Sequence, residues 1–194
     1  MWVRRAAIRP VPPFARVSEF VLERLELEIS RELDGDNTTS HVFDEALERF
    51  EQRQPALFAH LEQALTRTKN EPALGFGYFL ILAVFLAFER AFGDAIDKVS
   101  ELNVESVEQA LGLDEELRMA DAAEVVESDD VVAMEQPHLL AYIQDHVEAA
   151  LEAHADEVDV DEVHKIYRAV LIEVLSLSYA VKDQHGESSS EVFA

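Results

Sequence analysis

Between Ala73 and Phe88 the chain carries no charged residue, and Tyr78 supplies the only polar side chain. A helix that is apolar on every face must be hidden on every face. This stretch therefore constrains the fold more than any other. It needs either a shell of other helices or a membrane. The membrane alternative is the weaker one. Sixteen uncharged residues fall short of the ~20 that a spanning helix requires. Gly75 and Gly77 weaken the start of the run, and Glu89-Arg90 close it. The expectation is a central helix over residues 73–92 in a water-soluble, cytoplasmic protein with no membrane contact.

The remaining segments have the pattern of such a shell. Val17, Val21, Leu25, Ile29 and Leu33 recur at i+4, which predicts a first helix from Phe14 or Ser18 to Leu33. A second is expected over His41–Arg53, with Phe43, Ala46, Leu47 and Phe50 inward. Pro55 suits the first position of a third, reaching Arg67. Gly93 should end or kink the central helix. Residues 94–135 are less regular. They suggest short helices around Ala95–Leu102, Val104–Leu111 (Asn103 as cap, Gly112 as stop) and Asp114–Val126, with a strand at Val125-Val126 or Val131-Val132 as an alternative. Pro137 opens another helix to Ala155. A last one runs over Asp161–Lys182, where Val163, Ile166, Tyr167, Val170, Leu171, Val174, Leu177 and Val181 form a 3.6-residue stripe. Residues 1–13 suggest a flexible basic, proline-rich arm, 14–183 a single helical domain, and 184–194 a disordered tail.

Gln54-Pro55-Ala56-Leu57-Phe58-Ala59-His60-Leu61 matches Gln136-Pro137-His138-Leu139-Leu140-Ala141-Tyr142-Ile143 at four of eight positions. Each copy precedes a long apolar helix. The pattern predicts a duplicated helical hairpin, with pseudo-repeats at about 41–93 and 121–182. The fold class expected is thus all-α, a bundle of about six to eight helices with a duplicated core. Phe76, Phe79, Phe85, Phe88 and Phe92 could extend the core into a subunit interface, which favours a homodimer over a fully covered central helix.

Charge narrows the functional classes. The chain carries a net charge of −24, and residues 114–162 hold 17 acids against the single base Arg118. Such a field repels nucleic-acid phosphates and anionic membranes. Solubility or salt adaptation, docking of a basic protein partner, and mimicry of a phosphate backbone all remain compatible with it. The absence of cysteine excludes disulfides and thiolate-ligated metals.

No catalytic signature is present: there is no Gly-x-Ser-x-Gly, phosphate-binding loop or dinucleotide fingerprint. Gly75-Phe76-Gly77 could bare backbone donors to an anion at a helix start, but close helix packing explains the glycines as well. Four side chains stand as candidate metal ligands, His60, Glu89, His164 and Glu173. Glu89 and Glu173 would enter the core if the two long helices touched through them. The competing expectation pairs Glu89 with Arg90 or Arg53 and leaves Glu173 exposed, since acids are rarely buried. His138, His146 and His154 recur every eight residues, a spacing that fans around a helix by ~80° per step. Residues 156–162 resemble a calcium loop in charge alone, lacking its glycine and closing glutamate. The function expected is a non-catalytic interaction or regulatory module without a cofactor. The alternative is a carboxylate/histidine bundle that binds a metal or a small ligand.

Overall fold

The computed structural model describes residues 7–33, 41–120, 127–154 and 157–183. It contains eight α-helices: α1 (Glu19–Leu33), α2 (His41–Arg53), α3 (Pro55–Leu65), α4 (Glu71–Phe92), α5 (Glu101–Met119), α6 (Ser128–Glu135), α7 (Pro137–Ala153) and α8 (Val160–Ala180). The protein is an all-α helical bundle, and no strand occurs among the described residues.

The apolar run forms α4, with every residue from Leu80 to Phe88 buried. It starts at Glu71, two residues before the expected start at Ala73. Asn70 caps the helix by accepting the Ala73 amide at 2.9 Å, and Pro72 occupies the first turn, where its missing N–H is no loss. Gly93 ends the helix at φ +53°, a conformation that glycine adopts without a Cβ clash. α4 packs against α8 most extensively, with α1, α2, α3 and α7 completing the shell. Phe50 of α2 stacks on Phe85 at 4.4 Å. With its terminal turn, the helix is long and apolar enough to cross a membrane by length and composition. Most of it nonetheless has protein neighbours. Of the five phenylalanines considered for a subunit interface, Phe85 and Phe88 are buried within this one chain, and Phe76, Phe79 and Phe92 are half-buried.

Residues 94–135 differ from expectation. α5 is one continuous helix that starts after Ser100, whose hydroxyl accepts the Asn103 amide at 3.3 Å. It runs through Gly112, which is not a stop, because Val107, Leu111 and Asp114 continue one buried face across it. Val131-Val132 lies in helix α6 rather than a strand. Val125-Val126, the loop at 34–40 and the tail beyond 183 fall outside the described residues.

Residues 7–13, within the stretch expected to be a flexible arm, lie against the bundle. Ile8 and Val11 are buried, and the Val11 amide donates to Glu135 Oε2 at 3.0 Å. Tyr179 donates its hydroxyl proton to the Arg9 carbonyl at 2.5 Å.

The junctions α2–α3 and α6–α7 share a polar feature. Gln54 and Gln136 precede the proline-started helices α3 and α7, yet neither caps them. Each side chain instead clamps an extended segment of the other half. Gln54 accepts from the Val99 amide at 2.8 Å and donates to the Asp97 carbonyl at 2.9 Å. Gln136 accepts from the Val17 amide at 3.0 Å and donates to the Ala15 carbonyl at 2.8 Å. Both amides are buried and satisfied, as buried polar groups must be. The segment after α4 also meets the end of α8 through an antiparallel bridge between Ile96 and Val181.

Candidate functional site

A groove opens between the C-terminal part of α7 and the N-terminal part of α8. Its cause is the placement of α7, which packs mainly on α6, α1 and α4. The corresponding helix α3 lies directly on α8 and α4. Gly77 makes that close approach feasible: a Cβ there would stand 2.5 Å from Leu65 Cδ2 and 3.2 Å from Ile166 Cδ1. The Gly75-Phe76-Gly77 segment is thus inside α4, where Gly77 serves packing, while a Cβ at the exposed Gly75 would meet nothing within 4 Å.

The groove has a volume of about 470 Å³. Val147 and Leu151 contribute one apolar turn of α7, and Tyr167 faces them from α8. Acids line the same groove: Asp129 at the start of α6, and Glu148 and Glu152 on α7. His164 and Tyr167 also border a second depression of about 720 Å³, which runs on past Leu171 towards Met119. Sharing Asp129, His164 and Tyr167, the two make up one trough lined by five acids and two arginines, with apolar side chains between them.

Tyr167 organises the junction. It receives a hydrogen bond from Gln144 Nε2 at 3.2 Å and donates to Asp129 Oδ2 at 3.3 Å. Burial is the main reason its phenol is pushed up to about 12; the bond from Gln144 pulls the other way, and the nearby Asp129 charge adds to the rise. At neutral pH it is a protonated donor, not a base. The arginines beyond it are already engaged. Arg168 pairs with Glu115 at 3.0 Å, and Arg118 with the buried Asp114 at 2.6 Å. Asp114 also accepts from Ser128 Oγ at 2.8 Å and from the Ala7 amide at 3.1 Å, tying α5, α6 and the N-terminal segment together.

The four candidate ligands are dispersed. His60 is half-buried on α3, and His164 is exposed in the trough. Glu89 meets Arg49 through two bonds of 3.0 Å and Arg53 at 3.2 Å, with Arg90 Nη1 at 3.5 Å. A carboxylate held in this way is neutralised by its own bundle. Glu173 overturns the expectation of exposure. It is fully buried in α8, and neither of its oxygens has a hydrogen-bond partner among the described residues. Ser176 Oγ, one turn on, is in the same condition. Burial alone pushes the Glu173 carboxyl well above the ordinary range, so the neutral acid is favoured in the fold. Among the described residues, no group of three or more His, Asp or Glu side chains is placed to hold a metal ion.

The α7 histidines occupy different surroundings. His146 packs between Tyr142 and Phe79, with ring centroids at 4.4 and 5.2 Å, while His138 and His154 are exposed. Sequence reasoning missed the polar residues that matter most to the architecture, Gln54, Gln136, Asp114 and Glu135. The repeated Gln-Pro pair was the available signal for the first two, and it drew notice for the proline.

No protein-family model, curated protein or solved structure matches the chain.

Proposed function

We propose that this chain is a non-catalytic helical interaction module that presents an acidic surface to a basic protein partner. The observation that carries this reading is the acidic trough itself. Asp129, Glu148 and Glu152 share a concave, partly apolar surface whose first part has no lysine or arginine among the described residues. Convergent acids beside exposed apolar area form a steering and docking surface for cations on a protein. The duplicated-hairpin origin belongs to the same proposal. It is supported by the matching element order and by the reciprocal glutamine clamps.

The test is equilibrium binding to a short lysine-rich peptide and to a glutamate-rich peptide of equal length. Saturable binding of the first alone, weakening as salt rises through ~0.15 M, is the expected result. Failure of the lysine-rich peptide to bind at that ionic strength would sink the proposal.

A further inference from the structure

Resting on the acidic-surface reading, we infer that the α7/α8 trough receives a basic amphipathic helix of the partner protein, apolar on the face turned into the groove. Charge alone would call for any cationic segment. The trough adds a second requirement. Val147 and Leu151 stand at i and i+4 on α7, and Tyr167 lies opposite them on α8. Continuation past His164 to Leu171 and the exposed Met119 extends this floor along the second depression. An elongated apolar floor between two helices matches the anchors of a helical ligand spaced at i, i+3, i+4 and i+7. From His164 to Leu171 the trough follows roughly two turns of α8, about 10 Å at 1.5 Å per residue.

The charges of the trough select the other face of that ligand. Glu148 and Glu152 are exposed, one turn apart, beside the floor. Arg118 and Arg168 lie in the further part, where Asp114 and Glu115 already engage them. A helix seated here would meet unneutralised acids along α7, so lysines or arginines flanking its apolar stripe are favoured there. An acidic helix with the same stripe would be repelled, and a neutral one would gain no attraction from these charges.

Two peptides of identical leucine and lysine composition separate this inference from the broader reading. One has its leucines on a single helical face and the other is scrambled. Fluorescence anisotropy with the full chain should give about tenfold tighter binding of the amphipathic peptide, equivalent to about 1.4 kcal/mol. The surface double variant Glu148→Lys/Glu152→Lys should abolish that preference, while Glu62→Lys/Glu105→Lys, away from the trough, should keep it. Circular dichroism establishes that both variants remain helical. Equal affinity for the two peptides would overturn the amphipathic-helix inference and leave the acidic-surface reading standing. Loss of preference in both double variants would overturn the trough as its location. If neither peptide binds, both readings fall.

Discussion

The half built from α2, α3 and α4 is closed and close to charge balance, with seven acids against five lysines and arginines over residues 41–92, whereas the half built from α6, α7 and α8 is open and acidic, with twelve against two over residues 128–180. The same order of elements leads to both. On the closed side, Gly77 lets Leu65 and Ile166 approach, and three arginines surround the carboxylate of Glu89. On the open side, α7 leans on α1 and α6, and Tyr167 of α8 reaches across the groove to Gln144 of α7 and Asp129 of α6. The contrast teaches that helix order does not fix a surface. One small residue and the partners of a few charges decide whether a given position becomes core or groove.

The glutamine clamps give the largest expected effects. Gln136→Ala should destabilise the fold by about 3 kcal/mol in urea unfolding, since it strands the Val17 amide, the Ala15 carbonyl and the bond to Ser178 Oγ. Gln54→Ala, which removes one bond fewer, should cost about 2 kcal/mol. An inverted order would break the comparison between the halves.

Glu173 comes next. Replacement by leucine exchanges an unpartnered buried acid for a side chain of similar volume, and should stabilise the protein by about 2 kcal/mol at neutral pH. Its pH dependence has a definite sign. The unfolded chain releases this proton near the ordinary value of 4.5, while the fold holds it to higher pH. The associated stability is complete below the unfolded value and declines as pH rises towards the folded one. The advantage of Glu173→Gln over the wild type should therefore grow above pH 4.5, by at most about 1.4 kcal/mol per pH unit. An advantage independent of pH would show that Glu173 does not titrate in this way.

Smaller effects probe the closed half. Gly77→Ala should cost about 1–2 kcal/mol in thermal unfolding, because Leu65 and Ile166 must give way. Its loss should fall mainly on the α3–α4–α8 contact, so hydrogen exchange ought to rise there before it rises in α7. Glu89→Gln should cost about 1 kcal/mol, as its arginines stay partly in water and recover hydration. A larger loss would mean that this carboxylate does more than balance charge.

Much of the helical layout was legible in the chain because it rests on local rules. Periodicity placed α1, α2, α7 and α8 to within a few residues, and proline marked the starts of α3 and α7. Gly112 misled because a glycine in the sequence of an amphipathic helix looks like a stop. In α5 the buried face of Val107, Leu111 and Asp114 carries the helix through it. The candidate site was barely legible. Tyr167, Asp129 and Leu151 come from three helices, and no spacing rule relates them.

By itself the sequence determined that this chain is helical, that the uncharged run over residues 73–88 needs cover, and that acids dominate from Asp114 to Glu162. Those properties follow from side-chain chemistry and 3.6-residue periodicity, which act over a few turns. Only the tertiary structure decided that Glu89 is neutralised while Glu173 is buried without a hydrogen-bond partner among the described residues. It also decided that two glutamines cross-clamp the halves and that a trough separates α7 from α8. Each of those outcomes depends on which distant surfaces meet, and burial or pairing is a property of the meeting rather than of the residue.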